Sequence, residues 1–322
     1  MHPIFSIATD AEFEQACLSA FYRQAQACEP YRRYLSCLGV RAEDVRCAAQ
    51  IPFLPIEFFK TERVVCGDAA AQATFTSSGT TGAETSRHYV ADVQLYEASF
   101  LRGFERFYGA PQQYCILALL PGYAERQGSS LVYMVERLVR QSGHPLGGFF
   151  LRSYDALAAR LALLHRQQQP TLLIGVSFAL LDLAEQRHFR LPRLTVMETG
   201  GMKGRRRELP REALHRILCS SFGVEAVHSE YGMTELLSQA YSSGGGRFVA
   251  PPWMRVALRD LHNPFAKAAP SASGGINVID LANQNSCAFI ETQDLGRVNA
   301  DGTFEVLGRM ERAMPRGCNM LI

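Results

Sequence analysis

The amino-acid sequence predicts an α/β fold, built as one large compact domain with a smaller β-rich part. Short apolar runs alternate with amphipathic segments between Tyr114 and Gly201, and short β-like runs follow Trp253. Alternating strands and helices require crossover connections, so the first region predicts mostly parallel sheets flanked by helices. In the second region Gly, Asn, Asp and Pro separate the runs, which predicts a small antiparallel β subdomain.

Three parts of the chain follow from this pattern. Residues 1–50 are predicted to form a helical lead-in, because apolar residues recur at helical spacing in Ala11–Cys28 and Tyr31–Leu38. Residues 51–250 are predicted to form the α/β core, and residues 251–322 the β-rich subdomain. The strand–helix pairs predicted for the core are Tyr114–Leu120 with Ser129–Arg140, Thr171–Gly175 with Phe178–Glu185, and Leu194–Met197 with Arg207–Ser220. The strands predicted for the subdomain are Met254–Arg259, Gly275–Asp280, Ala288–Thr292 and Thr303–Leu307.

The composition excludes several classes of protein. The 322 residues are 47% hydrophobic and 20% charged, which is ordinary for a globular protein. Lys and Arg outnumber Asp and Glu by 33 to 31, a formal charge of +2 that is too small to make a nucleic acid or an anionic membrane the main partner. The nine cysteines are scattered without metal-ligand spacing, and no run of about 18 apolar residues occurs. We therefore expect a soluble, cytoplasmic protein with reduced thiols.

A segment rich in hydroxyl groups and glycines runs from Thr74 to Gly82. Glycines allow backbone N–H groups to curl round an anion, while hydroxyls donate hydrogen bonds to its oxygens. The segment therefore predicts that a nucleotide polyphosphate binds here. It lacks the Gly-Lys-[Ser/Thr] ending of a Walker A loop, and the alternative is a surface turn of Ser, Gly and Thr. The predicted phosphate-binding residues are Ser77, Ser78, Gly79, Thr80, Thr81 and Gly82.

The run Tyr231-Gly232-Met233-Thr234-Glu235 combines a flat aromatic ring, a hydroxyl and a carboxylate. An aromatic ring can stack on a purine, a hydroxyl can hold an α-phosphate, and a carboxylate is a preferred ligand of Mg2+. Upstream, Gly200 and Gly201 follow an apolar strand and allow close approach to a flat base. The alternatives are a strand end with a solvated glutamate and an ordinary β-turn.

Taken together, these segments resemble the adenylate-forming superfamily, which contains acyl- and aryl-CoA ligases, peptide-synthetase adenylation domains and luciferases. The resemblance implies the large N-terminal domain of adenylate-forming type as the fold, and ATP and Mg2+ as cofactors. It implies that Tyr231 stacks on adenine, while Thr234 and Glu235 act on phosphate and metal during catalysis. Asp294 resembles the ribose-binding Asp of the superfamily, and Arg309 resembles the Arg of its Gly-Arg-x-Asp segment, which contacts ribose.

Further segments resemble the acyl-protein synthetase (long-chain-fatty-acid luciferin-component ligase) family of bacterial bioluminescence. They are Ile51–Pro55, Phe58–Lys60, Phe75–Thr80, Leu173–Gly175, Thr199–Gly201 and Pro251–Trp253, and the resemblance covers most of the chain from about Ile51 onward. In that family a cysteine near the C-terminus accepts the acyl group as a thioester, and the matching position here is Cys318. A thiolate attacks a mixed anhydride readily. The alternative is that Cys318 is a small buried hydrophobe.

The sequence departs from the superfamily pattern in two places. Glu311 stands where the hinge residue is usually Asp, and the chain stops at Ile322, so the C-terminal small domain with its lysine is expected to be absent or vestigial. Either the enzyme works without that lysine, or Lys60, Lys203 or another basic group stabilises the phosphate charge, or the sequence is truncated. His88 is interpreted as a surface or satisfied core histidine rather than as a site residue.

The predicted function is the ATP-dependent activation of a fatty or aryl carboxylic acid to an acyl-adenylate, with release of pyrophosphate and acyl transfer to a thiol. The expected partners are the acid and an acyl-accepting protein, either a reductase or a carrier protein. One alternative is an acyl- or aryl-CoA ligase that uses free CoA. Another is a non-catalytic acyl- or nucleotide-binding subunit of a reductase complex.

Overall fold

The computed structural model describes residues 2–77, 85–122, 126–201, 206, 209–261, 263, 266–269 and 272–310. Its helices are α1 (Asp10–Ala27), α2 (Glu29–Cys37), α3 (Phe58–Thr61), α4 (Val93–Tyr108), α5 (Ser130–Ser142), α6 (Tyr154–Arg166), α7 (Ser177–Gln186) and α8 (Arg211–Phe222). Its strands are β1 (Leu54–Pro55), β2 (Ala73–Thr76), β3 (Arg87–Val90), β4 (Cys115–Leu119), β5 (Gly148–Phe149), β6 (Thr171–Val176), β7 (Leu194–Thr199), β8 (Val227–Tyr231), β9 (Ala240–Ser242), β10 (Arg247–Phe248), β11 (Met254–Arg259), β12 (Gly274–Asp280), β13 (Phe289–Val298) and β14 (Phe304–Arg309).

Local sequence explains where these helices begin. The α1 helix follows Thr9, whose hydroxyl accepts the N–H of Glu12 while the Glu12 carboxylate accepts the N–H of Thr9. This reciprocal arrangement satisfies two N–H groups that would otherwise lack partners. The α8 helix begins at Arg211 rather than at the predicted Arg207, and Pro210 directly precedes it. Proline is tolerated at a helix start but breaks a helix interior, which accounts for the later start.

A six-stranded sheet, called here the parallel sheet, has the strand order β5-β4-β6-β7-β8-β9. Its first five strands run parallel to one another, and β9 is antiparallel to β8. All residues of β4 and β6 are buried, as is usual where both faces of a parallel sheet are covered. The predicted α/β core with mostly parallel strands is therefore confirmed.

A second sheet, called here the antiparallel sheet, has the order β10-β14-β13-β12-β11, and β1 joins it by pairing parallel to β13. The predicted antiparallel β subdomain is therefore confirmed. Its strand β13 continues well beyond the predicted end at Thr292. A β-bulge between Leu295 and Gly296 accommodates the continued pairing with β14.

The β2 and β3 strands form a separate antiparallel hairpin in which Ala73 lies opposite Val90 and Thr76 lies opposite Arg87. This hairpin lies outside both large sheets. Its connection carries the predicted phosphate loop. Within that loop, Ser78–Gly82 lie outside the described residues.

Helices α1 and α2 pack on the antiparallel sheet. Phe21 and Tyr31 contact Phe289 of β13, with ring centroids 6.3 and 6.4 Å apart. Gln24 donates a hydrogen bond to the carbonyl of Asn283 at 2.7 Å. Buried apolar residues from these helices and from both sheets form one continuous core. In the described part of the chain, no helix combines the length and apolar character needed to cross a membrane.

Candidate nucleotide site

Two predicted site segments and the start of α7 follow the carboxyl ends of strands in the parallel sheet. Ser177 directly follows β6, Gly200 follows β7 and Gly232 follows β8. The carboxyl ends of parallel strands lie at one edge of a sheet, and ligands of open α/β sheets bind at that edge. The strand order therefore brings these segments, which are distant in sequence, to the same side of the molecule.

The base of the hydroxyl-rich loop is held closed by hydrogen bonds between its two ends. The N–H of Ser77 donates to the carbonyl of Ser86 at 3.1 Å. In the opposite direction, the N–H of Ser86 donates to the Ser77 hydroxyl at 2.9 Å. The N–H of Thr76 donates to the carbonyl of Gly128 at 2.7 Å, which ties the hairpin to the segment before α5. The predicted roles of Ser78, Gly79, Thr80, Thr81 and Gly82 fall outside the described residues and stay predictions.

His88 joins the hairpin to the turn that contains Thr234. Its Nδ1 lies 2.9 Å from the Thr234 carbonyl oxygen, and because a carbonyl only accepts, Nδ1 carries the proton. The ring packs edge-on against Phe59 with centroids 5.6 Å apart. Burial lowers the pKa of His88 to about 4, so the ring is neutral at pH 7. The interpretation of His88 as a satisfied core histidine is confirmed.

Glu235 lies beside the base of the loop and is only 4% exposed. Burial raises the pKa of its carboxyl group, while a hydrogen bond from the Ser86 hydroxyl and the charges of Arg309 and Lys60 act in the opposite direction. Its backbone carbonyl accepts a hydrogen bond from Asn283 Nδ2 at 2.9 Å, which holds the turn in place. Glu235 is therefore a buried carboxyl group that accepts a hydrogen bond from Ser86 and feels the charges of Arg309 and Lys60, and the alternative of a solvated glutamate is excluded.

The surroundings of Glu235 fit a magnesium ion that arrives with a nucleotide. In the part of the chain that the structure describes, no group of three or more His, Cys, Asp or Glu side chains is arranged to hold a metal ion. Mg2+ is commonly bound through one or two protein carboxylates, with substrate phosphates and water completing its shell. A single buried carboxylate at the base of a hydroxyl-rich loop is compatible with an ion bound in this way.

Tyr231, Asp294 and Arg309 come together although they lie far apart in sequence. The Tyr231 hydroxyl donates to Asp294 Oδ2 at 2.8 Å, and Arg309 Nε lies 3.6 Å from Asp294 Oδ1. The N–H of Asp294 donates to the Thr292 hydroxyl at 3.0 Å, which orients the carboxylate. Burial raises the pKa of Asp294, and the Tyr231 hydrogen bond and the Arg309 charge oppose that effect. The structure thus joins three predicted nucleotide-binding residues in one polar cluster.

The Tyr231 ring is packed among other aromatic side chains. Its centroid lies 5.8 Å from that of Phe248 and 5.5 Å from that of Phe304. Only 8% of Tyr231 is exposed, so little of the ring is open to a ligand. Stacking of adenine on Tyr231 stays a prediction.

The glycine pair after β7 adopts a backbone that other residues rarely take. The φ angles of Gly200 and Gly201 are 69° and 64°, both in the left-handed region. In the part of the chain that the structure describes, a Cβ atom on Gly201 would meet nothing within 4 Å. Among the described residues, the backbone at Gly201 is therefore uncovered at the carboxyl end of β7, as close approach of a flat base requires.

Gly232 has a packing reason of its own to be glycine. A Cβ atom there would lie 2.4 Å from Glu230 Oε1. The other carboxylate oxygen of Glu230 accepts a hydrogen bond from the Thr199 hydroxyl at 2.5 Å, so the side chain is held in that position. The hydrogen bond between Thr199 and Glu230 joins the end of β7 to the end of β8.

Sequence reasoning missed a polar network at the end of β7. Glu198 is buried, accepts a hydrogen bond from the Ser177 hydroxyl at 3.0 Å, and lies 3.5 Å from Arg211 Nε and 3.6 Å from His215 Nε2. Burial opposes ionisation, but His215 and Arg211 leave the pKa of Glu198 below its ordinary value. Only its place at the end of an apolar strand, two residues before a glycine pair, singled Glu198 out in the sequence.

Two other residues in contact with the predicted site were also missed. Ser86 reaches Glu235, and Thr292 orients Asp294. Ser86 could have been found from a hairpin prediction, because pairing of the flanking strands places it opposite Ser77. The candidate acyl acceptor Cys318 and the hinge position lie outside the described residues.

Comparison with known proteins supports the fold assignment at a distance. No family model matches the chain, and no curated protein matches it. An open conformation of 2-hydroxyisobutyryl-CoA ligase in complex with 2-HIB-AMP and CoA is similar, with a TM-score of 0.70, 13% identity, and coverage of 95% of this chain and 77% of the ligase chain. The same ligase in the postadenylation state with 2-HIB-AMP gives a TM-score of 0.72, 12% identity and coverage of 94% and 68%.

ATP-bound MatB from Rhodopseudomonas palustris is a second similar structure. It gives a TM-score of 0.56 and 19% identity, and the match covers 76% of this chain and 49% of MatB, so the chain spans about half of that protein. At such identities the likeness establishes the fold. The chain, with its parallel sheet and antiparallel subdomain, therefore shares the mixed α/β fold of 2-hydroxyisobutyryl-CoA ligase and ATP-bound MatB.

Proposed function

We propose that this protein activates a carboxylic acid with ATP, forming an acyl-adenylate and releasing pyrophosphate. The observation that carries the proposal is the convergence of segments that the sequence singled out separately. Ser86, at the end of the hydroxyl-rich loop, bonds to Glu235, and Tyr231 bonds to Asp294. The fold shared with a CoA ligase whose structures contain 2-HIB-AMP supports the same class of reaction.

Each group of residues acts on one part of the nucleotide in this proposal. The loop Ser77–Gly82 holds the triphosphate through N–H and hydroxyl groups. Thr234 donates to the α-phosphate, and Asp294 and Arg309 bind the ribose. When bound at Glu235, Mg2+ supplies positive charge that neutralises the phosphate oxygens.

Lys60 is the basic residue that we assign to the phosphates. Its positive charge acts to lower the pKa of the buried Glu235 carboxyl group, so Lys60 is near enough to act on the charges around Glu235. As the substrate carboxylate attacks the α-phosphorus in line, negative charge grows on the phosphate oxygens and pyrophosphate leaves. A fixed cation at that position stabilises the transition state more than the ground state.

The second half of the proposed reaction transfers the acyl group to a thiol. A thiolate attacks the carbonyl carbon of the adenylate, the new C–S bond forms, the bond to the phosphate oxygen breaks, and AMP leaves. Cys318 is the proposed acceptor within the chain, with a reductase or carrier protein as the next recipient and a fatty or aryl acid as the substrate. The resemblance to acyl-protein synthetases supports this assignment.

A second candidate function is a CoA ligase, in which free CoA takes the acyl group. The structural likeness to 2-hydroxyisobutyryl-CoA ligase, whose structure holds both 2-HIB-AMP and CoA, favours it. The two candidates share the adenylation step and differ only in the acceptor. Intact mass of the protein after incubation with ATP and acid separates them, because only the first leaves an acyl adduct that the Cys318→Ser variant lacks.

The test of the adenylation step is acid-dependent pyrophosphate release, measured over a panel of fatty and aryl acids. We expect Glu235→Gln to lower the rate at least about 100-fold, because it removes the carboxylate that would hold Mg2+ beside the reacting phosphates. Since burial raises the pKa of Glu235, the neutral side chain should leave the urea midpoint unchanged or higher. The matched control is Glu212→Gln on the exposed face of α8, which should alter neither quantity.

Two outcomes would contradict the proposal. An unchanged rate in Glu235→Gln would exclude the metal role of that residue. ATP binding by calorimetry without pyrophosphate release for any acid would instead support the non-catalytic subunit.

A further inference from the structure

Cys28 and Cys66 lie directly opposite each other in an isolated antiparallel β-bridge. Next to them, the N–H of Gly67 donates to the carbonyl of Ala27 at 2.8 Å. This pattern identifies a non-hydrogen-bonded pair, in which opposite Cα atoms are about 4.5 Å apart and the side chains are close. Such a spacing is within the range that a disulfide spans. The two thiol groups are close enough to affect each other's acidity through a hydrogen bond, and the Cys66 thiol also donates to the Ser286 carbonyl at 3.3 Å.

The two thiols differ in exposure and in acidity. Cys66 is partly exposed, whereas Cys28 is fully buried. The hydrogen bond from Cys28 lowers the pKa of the Cys66 thiol against the effect of burial, and the positive charge of Arg23 acts in the same direction. The same hydrogen bond, together with burial, raises the pKa of Cys28. The thiolate is the nucleophile in thiol–disulfide exchange, so Cys66 is the residue that reacts first.

We propose that Cys28 and Cys66 form a reversible dithiol–disulfide pair that exchanges with small disulfides such as glutathione disulfide. The Cys66 thiolate attacks one sulfur of the small disulfide, whose S–S bond breaks and releases one thiolate. Cys28 then gives up its proton and attacks Cys66 Sγ, which forms the Cys28–Cys66 bond and releases the second small thiol. The protein loses two hydrogens and two electrons, and the small disulfide is reduced to two thiols.

The position of the pair gives the bond a structural consequence. Cys28 lies at the junction of α1 and α2, and Cys66 lies between α3 and β2. The oxidised protein is therefore cross-linked from the helical lead-in to the segment that enters the hydroxyl-rich loop. The proposal is independent of the adenylation chemistry, since among the described residues the Cys66 thiol bonds to the carbonyls of Gln284 and Ser286 and not to the candidate nucleotide site.

A third thiol nearby does not belong to the pair. Cys287 is fully buried, and its thiol donates to the carbonyl of Phe289 at 3.3 Å. Across the described ranges no set of three or more His, Cys, Asp or Glu side chains could hold a metal ion. Exchange between two thiols is therefore favoured over metal binding at this position.

The test uses the full-length protein incubated with excess glutathione disulfide, alkylated, digested without reductant and mapped by mass spectrometry. We expect a linked peptide that joins Cys28 to Cys66, and its loss after dithiothreitol treatment. Recovery of Cys66 only as a glutathione adduct, or of both cysteines as free thiols, would overturn the proposal.

Two serine variants show which cysteine performs each step of the exchange. In Cys28→Ser the first step remains, so Cys66 should accumulate as the glutathione adduct. In Cys66→Ser the attacking group is gone, so Cys28 should stay a thiol. The matched control is Cys37→Ser, which removes an exposed thiol and should leave the linked peptide unchanged. The wild-type map tests the proposal even if substitution of the buried Cys28 prevents folding.

Discussion

Replacement of Tyr231 by Phe removes one buried hydroxyl and nothing else from the site. That hydroxyl donates to Asp294 at 2.8 Å, and both residues are 8% exposed. A hydrogen bond to a charged group contributes about 1.5–3 kcal/mol, so we expect the free energy of unfolding to fall by about 2 kcal/mol. This corresponds to a roughly 30-fold decrease in the ratio of folded to unfolded protein. Urea unfolding followed by the fluorescence of the single tryptophan, Trp253, measures it.

The effect of Tyr231→Phe should depend on pH. Burial raises the pKa of Asp294 above its ordinary value of 3.8, and the Tyr231 hydroxyl opposes that shift. Without the hydroxyl the folded state holds the Asp294 proton to higher pH, so stability falls more steeply as pH rises. The cost of the substitution should therefore be largest near pH 8 and should shrink as pH falls toward 3.8.

Tyr241 supplies the matched control for this prediction. It is as deeply buried as Tyr231, but its hydroxyl has no hydrogen-bond partner in the described part of the chain. Tyr241→Phe removes an unsatisfied polar group, so it should leave stability unchanged or raise it by up to about 1 kcal/mol. Equal losses in the two variants, or a larger loss in Tyr241→Phe, would refute the hydrogen-bond argument.

Two further predictions concern His88 and Gly201. Burial lowers the pKa of His88 from 6.5 to about 4, so the folded protein binds the His88 proton less readily than the unfolded chain. The contribution of His88 to the free energy of unfolding is therefore present above pH 6.5 and is lost as pH falls, by about 2 kcal/mol between pH 7.5 and 5. Urea titrations should show this extra pH slope in the wild type and in the exposed control His188→Gln but not in His88→Gln, and an equal slope in all three would contradict it. Gly201→Ala and Gly245→Ala both place alanine at positive φ with open space around Cβ, so each should lose about 1–2 kcal/mol. Only Gly201→Ala should also weaken ATP binding in calorimetry, and equal ATP affinities would remove Gly201 from the site.

Much of the fold could be predicted because the spacing of apolar residues along the chain already indicates which segments form strands and which form helices. The predicted span Met254–Arg259 is the span of β11, and the three strand–helix pairs of the core were placed within a few residues. The end of β13 could not be predicted, because Asp294 and its polar neighbours do not read as a strand. Its bulge arises from pairing with β14, and the pairing of two strands cannot be predicted from the sequence of one of them.

The candidate site likewise has a part that the sequence predicted and a part that it could not predict. The types of residue that a nucleotide needs were visible in the chain, as the runs around Ser77 and Tyr231. Which of them are buried was not visible, and burial is what changes their chemistry. Glu235 read equally well as a solvated side chain, and only packing against the hairpin base makes it a buried carboxylate with a raised pKa.

By itself, the sequence determined the alternation of strands and helices, the antiparallel subdomain and the residues that we assign to a nucleotide. These properties depend on side-chain type and short-range spacing, which are both written along the chain. The tertiary structure alone decided that Ser86 meets Glu235, that Tyr231 meets Asp294 and that Cys28 faces Cys66. Such contacts join segments tens to hundreds of residues apart, and they exist only after sheet order and register have brought those segments together.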